Sequence, residues 1–184
     1  MAAEASVSGA VIKQHRTVME ERYGAAVVLR ALERISPTER DEIERAMAIG
    51  WVPIDAQIAF FEAVAAELDR SVTNVQDEIA GETAERNLRT VWRMLLRLTT
   101  DEALVARTPI LYSKNYRQGA LEAGILRPGQ AKLVLSAWPD VPDFTLRGLR
   151  HGIEAVLRLA GRRDSRVYYE RRPDGAEFYA VWTP

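Results

Sequence analysis

The sequence predicts an α+β fold, in which a helical N-terminal two-thirds packs on a four-stranded, mainly antiparallel sheet. The last third predicts the sheet, because apolar and polar residues alternate around a Pro-Gly turn at 127–130 and a Pro-Asp-Gly turn at 172–176. A long amphipathic segment between these two pairs of strands gives the order ββαββ. Before residue 119, apolar residues recur at helical spacing with short connections. We therefore expect one domain over 1–184, with a flexible N-terminal tail over 1–9.

The first part of the chain predicts three consecutive helices. One helix is expected from Ala10 to Tyr23 and a second from Ala25 to Arg34, with Gly24 as the break between them. The segment from Ser36 to Glu39 joins an N-cap serine, a proline at the first helical position and a glutamate placed to close a capping box. It therefore starts a third helix, which we expect to end at Gly50.

Further helices fill the middle of the chain. An apolar loop from Trp51 to Asp55 leads into a helix with a core stripe, and Thr73 or Asn74 can cap the next helix. The polar run 99–102 marks another helix start, and Pro109 either kinks or splits the helix that follows.

The C-terminal part predicts two hairpins separated by one helix. Alternation places the first hairpin between Gly119 and Ala137, and Pro142 then opens a helix that ends at Gly161. The closing strands are expected from Arg166 to Arg171 and from Glu177 to Thr183. Their apolar faces and that of the helix predict the core of this part.

The composition excludes several classes of function. With no cysteine among 184 residues, the chain has no disulfide, no thiolate zinc site and no cysteine nucleophile, which fits a reducing cytoplasm. The formal net charge of −1 gives no general attraction to nucleic acid or to an anionic membrane. No apolar run reaches membrane-spanning length. We therefore predict a cytoplasmic protein that neither binds nucleic acid nor inserts into a membrane.

Three places in the sequence resemble a known superfamily. The opening, Gly9–Lys13 and Met19–Gly24, is similar to its first helix. Phe144–Gly161 is similar to its long helix after the first hairpin, and Asp174–Trp182 to its closing hairpin. The superfamily comprises the heme–nitric oxide/oxygen binding domains, the bacterial 4-vinyl reductase-like domains and the transport-particle subunits of Golgi trafficking. Over nearly its full length, the chain most resembles a group of myxobacterial proteins of this size.

The resemblance implies a small-ligand domain, and its departures bear on the cofactor. Heme-binding members use a helical histidine as the iron ligand and a Tyr-x-Ser-x-Arg set for the propionates. In this chain the corresponding helix, 109–116, has no histidine, and the second place, 137–142, has no basic residue. The cysteines associated with zinc in the 4-vinyl reductase-like branch are also missing. We therefore predict no cofactor and no metal, and we disfavour heme.

A candidate ligand pocket is formed by aromatic residues and one histidine. Pockets in such folds are mainly apolar with a few polar groups, although aromatic residues at helix and strand spacing also fit a plain core. His151 adjoins Gly152 on the last helix, whereas His15 lies on the first; lone helical histidines also occur at surface and core positions. The candidate pocket residues are Trp51, Phe61, Trp92, Tyr112, Tyr116, Trp138 and His151.

No residues form a catalytic constellation, which argues against an enzyme without deciding the question. We first expect a small-ligand-sensing or regulatory domain in signalling. The alternative is a protein-interaction or scaffold module that forms a homodimer through an arginine ridge on the middle helix. A third hypothesis is a heme-based gas sensor with an unusual ligand such as Tyr112 or His151. The ridge consists of Arg86, Arg89, Arg93 and Arg97.

Overall fold

The fold is given by a computed structural model, which describes residues 4–87 and 99–183. The chain divides into two compact units, Met1–Thr83 with Asn115–Arg117 and Ala84–Lys114 with Gln118–Pro184. The predicted α+β class, the helical N-terminal part and the four-stranded antiparallel sheet are confirmed. The single domain over 1–184 stays a prediction. Within the described ranges, no helix combines the length and apolar character needed to cross a membrane.

The first unit is helical, and its core lies around its fourth helix. In that helix Phe60 and Phe61 are fully buried, and Ile12 and Met19 of the first helix are buried with them. The fourth helix packs against the second and the third. The helices are α1 (Gly9–Tyr23), α2 (Ala25–Arg34), α3 (Pro37–Glu44), α4 (Ile54–Glu67) and α5 (Val72–Asn87), the last of which continues into the second unit.

The start of α3 is as predicted, but its end is not. Ser36 accepts a hydrogen bond from the Glu39 N–H, and the Glu39 side chain accepts one from the Ser36 N–H, which completes the capping box. The helix ends at Glu44 instead of continuing to Gly50. The reason is a tight turn, in which the Gly50 N–H donates to the Met47 carbonyl at 2.8 Å.

A strand lies within the segment that we predicted as a tail over 1–9. Ser6–Ser8 (β1) pairs antiparallel with Trp51–Pro53 (β2), a segment that we expected to be a loop. Gly9 follows directly, and a Cβ there would lie 2.2 Å from the Met47 carbonyl oxygen. The close approach of these two backbones therefore requires glycine at this position.

The second unit contains the sheet. Its strands lie in the order β3-β4-β6-β5, and all neighbouring pairs are antiparallel. Pro109 lies inside a helix and does not split it. The elements are α6 (Asp101–Asn115), β3 (Ala120–Arg127), β4 (Gln130–Ser136), α7 (Asp143–Leu159), β5 (Arg163–Arg172) and β6 (Gly175–Thr183).

The two faces of this sheet differ in character. One face is apolar and buried, with Leu133 and Leu135 of β4 and Phe178 of β6, and α7 packs against β5 and β6. The strand register places Lys132, Tyr179 and Tyr168 side by side on the opposite face. This alternation is the pattern from which the hairpins were predicted.

Candidate ligand site

The predicted pocket residues are distributed over both units. Trp51, Phe61 and Tyr116 belong to the first unit. The second unit holds Tyr112, Trp138 and His151. Trp92 lies outside the described residues, as do Arg89, Arg93 and Arg97 of the arginine ridge. That these side chains line one pocket stays a prediction.

In the first unit, Trp51 and Tyr116 lie on either side of β1. Ser8 of β1 pairs with Trp51, and Val7 forms a β-bridge with Tyr116. The Arg117 guanidinium lies 4.7 Å from the centroid of the Trp51 ring, a cation–π contact that sequence reasoning missed. Burial raises the pKa of the Tyr116 phenol to about 12, so it stays neutral at physiological pH.

Phe61 lies in the helical core and contacts a buried histidine. The His15 ring stands edge-on to Phe61, with 5.0 Å between the ring centroids. Its Nδ1 lies 3.4 Å from the Gln57 amide nitrogen, and burial lowers the pKa of His15 to about 4. The imidazole is therefore neutral at physiological pH and acts as a buried polar member of the core.

In the second unit, His151 belongs to a chain of polar contacts from α7 to β5. Arg150 Nη2 lies 3.0 Å from His151 Nε2, and His151 Nδ1 lies 3.9 Å from Glu154 Oε2. The other carboxylate oxygen of Glu154 accepts a hydrogen bond from the Val167 N–H at 3.1 Å. Because a guanidinium only donates, this contact makes Nε2 the acceptor atom of the imidazole and leaves Nδ1 on the side of Glu154.

The geometry of α7 and β5 explains this chain of contacts. His151 and Glu154 are three residues apart and therefore share one face of the helix. β5 is an edge strand, so its outward N–H groups need partners from outside the sheet. The Glu154 carboxylate is such a partner for the Val167 N–H. The spacing of His151 and Glu154 is visible in the sequence, whereas their link to Val167 depends on tertiary structure.

The remaining pocket candidates of this unit have local roles. The Tyr112 hydroxyl donates a short hydrogen bond to the Gln118 carbonyl oxygen, which joins the end of α6 to the turn before β3. Trp138 is buried, and its backbone N–H donates to the Asp174 carbonyl at 2.9 Å. Within the described part of the chain, no three histidine, aspartate or glutamate side chains are grouped as a metal site would require.

The fold is that of the heme nitric oxide/oxygen binding (H-NOX) domains. An unliganded Fe(II) H-NOX protein from K. algicida matches with a TM-score of 0.72 and 9% identity, over 96% of this chain and 97% of that one. An oxygen-binding H-NOX domain related to soluble guanylate cyclases, in its oxygen complex, matches with a TM-score of 0.69 and 10% identity. The match covers 96% of this chain and 95% of that one. No protein-family model matches the chain, and no curated protein does.

This likeness contradicts the prediction against heme. A further match, from work on heme distortion in the H-NOX family, has a TM-score of 0.66 and 11% identity over 96% of this chain and 95% of that one. The H-NOX part of the resemblance is thus supported at the level of the fold. Its 4-vinyl reductase-like and myxobacterial parts stay predictions.

Proposed function

We propose that this protein is a small-ligand-sensing domain that binds a gas molecule through a heme. The observation that carries the proposal is the likeness to H-NOX structures over nearly the full length of both chains. A bound heme would supply an iron at which a diatomic gas can bind. The third hypothesis from the sequence is thereby preferred to a sensor without a cofactor.

Among the described residues, His151 is the one that would best hold the iron of a heme. Metal-bound imidazoles commonly direct the second ring N–H towards a carboxylate, and the Glu154 carboxylate lies on that side of His151, 3.9 Å from Nδ1. His151 Nε2 would be the donor atom, and Arg150, which contacts Nε2 at 3.0 Å, would have to move from it and could then bind a carboxylate such as a propionate. The Tyr112 hydroxyl donates to the Gln118 carbonyl oxygen, and a tyrosinate bound to iron would lose this hydrogen bond, so Tyr112 fits less well.

Glu154 also offers a route by which this site acts on the sheet. Its carboxylate faces His151 on one side and the Val167 N–H of β5 on the other. A displacement of the imidazole would therefore alter how firmly Glu154 holds the edge strand. The signal would pass from α7 to β5.

The cytoplasmic location stays a prediction, as does the homodimer.

Titration of the full chain with hemin tests the proposal. We expect the unmodified protein to develop a Soret band with one-to-one stoichiometry. H151Q should shift the band and weaken hemin binding by about tenfold or more, because the axial donor is removed. Y112F is the matched control, since it removes a donor from the other candidate ligand, and its spectrum should equal that of the unmodified protein.

Two results would contradict this reading at different levels. If the unmodified protein gives no Soret band with hemin, heme-based sensing is wrong. If the band forms and H151Q leaves it unchanged, heme binding stands but His151 is not the ligand. A shift in Y112F alone would assign that role to Tyr112.

A further inference from the structure

Along β5, the outer face of the sheet carries a charge pattern that is complementary to itself. Arg166, Tyr168 and Glu170 alternate along β5 with residues that face inward, and all three are exposed. Tyr168 is 57% exposed, among the highest values for large apolar side chains in this unit. Within the described ranges of the chain, none of the three side chains has a hydrogen bond or ion pair. A cation, an aromatic ring and an anion thus stand in line at equal spacing.

We propose that this face, centred on Tyr168, docks a second copy of the chain. A two-fold axis across β5 at Tyr168 places Arg166 of each copy opposite Glu170 of the other. The spacing is equal on both sides, since two residues of a strand span about 7 Å. The opposite orientation would place Arg166 against Arg166 and Glu170 against Glu170, so the charges select the antiparallel arrangement.

The structure favours contact through the face over pairing through the edge of β5. A second strand at this edge would need the Val167 N–H, which already donates to Glu154 at 3.1 Å. On the face, Tyr179 lies directly across from Tyr168 and extends its aromatic surface. Lys132 is in line with Tyr168 and Tyr179 and so faces its counterpart in the second copy, but its charge is compensated within each copy by the ion pair with Glu177 at 2.9 Å. Tyrosine and arginine are among the residue types that contribute most at protein interfaces.

The size of the face predicts a weak, reversible dimer. Four strands spaced about 4.8 Å apart, with the lengths seen here, cover roughly 500 Å² per copy. A standard stable interface buries about 800 Å² per partner. The dimer should therefore form at high concentration and low ionic strength, and added salt should weaken it. This proposal does not depend on heme.

Sedimentation equilibrium of the full chain, at low salt and over a wide concentration range, tests the interface. R166E and E170R should each raise the dissociation constant about a hundredfold, because each replaces two attractive contacts with two repulsive ones. Mixing R166E with E170R should restore association, since the acids of one variant then face the arginines of the other. K13E makes the same charge change on exposed Lys13 of α1 and should leave the dimer intact.

The recovery in the mixture is the decisive result, because misfolded variants would not produce it. A protein that stays monomeric at roughly millimolar concentration would overturn the proposal. So would a dimer in which R166E and E170R have the same dissociation constant as the unmodified chain. If both variants dissociate but their mixture does not associate, the two charges do not face each other and this geometry is wrong.

Discussion

Replacing Asp101 with alanine should lower the free energy of unfolding by about 3–5 kcal/mol. Asp101 is the first residue of α6 and pairs with Arg162 of the second unit, with Nε and Nη2 at 2.8 and 2.7 Å from Oδ1. Its other oxygen accepts a hydrogen bond from the Trp182 indole N–H at 3.1 Å. The Arg162 side chain is only 14% exposed, so the substitution leaves a largely buried cation without its carboxylate.

A closely matched control is available in the same unit. Asp143 is also the first residue of a helix, α7, and also pairs with an arginine, Arg171, at 2.8 Å. These side chains are 73% and 47% exposed, so D143A should lower the free energy of unfolding by about 1 kcal/mol or less. Urea unfolding of D101A and D143A at neutral pH measures both costs. Equal losses would show that burial of Arg162 is not what makes Asp101 important.

The sequence predicts those parts of the fold that have local signals. The capping box at Ser36 and Glu39, the Pro-Gly and Pro-Asp-Gly turns and the period-two segments around them all form as expected. The pairing of β1 with β2 was missed because three-residue strands are too short for a periodic pattern. The early end of α3 depends on the turn that joins Met47 to Gly50, which has no clear local signal.

The candidate site was less predictable, because its contacts join residues that are distant in sequence. Nothing local indicates that Arg117 lies over Trp51, or that Glu154 binds the backbone of Val167. The prediction against heme was wrong because it required a ligand and a basic residue at fixed positions of a family motif. At 9–12% identity the fold persists without such positional agreement. His151 was predicted as a pocket residue because it lies on the last helix, whereas Glu154 was not predicted as part of the site.

Acid should destabilise the first unit through His15 at a pH where most carboxylates are still charged. Burial lowers the pKa of His15 from 6.5 to about 4. Between these values the unfolded chain binds a proton at His15 and the folded chain does not, so stability falls as the pH falls. The full difference between the two pKa values corresponds to about 3 kcal/mol in the free energy of unfolding. This contribution is lost progressively between pH 6.5 and pH 4. Above pH 6.5 the contribution is fully present.

Urea unfolding of the unmodified chain, H15Q and K13Q at several pH values from 7 to 4 measures this loss. H15Q should be less stable at pH 7, because it disturbs the contact with Phe61, but its stability should change little down to pH 4.5. K13Q changes an exposed residue of the same helix and should follow the unmodified chain. Glu78, whose pKa is lowered to about 2 by hydrogen bonds from Arg70 and Tyr23, acts in a separate window below pH 4.5. If H15Q loses stability in parallel with the unmodified chain between pH 6.5 and 4.5, His15 is not the group that responds.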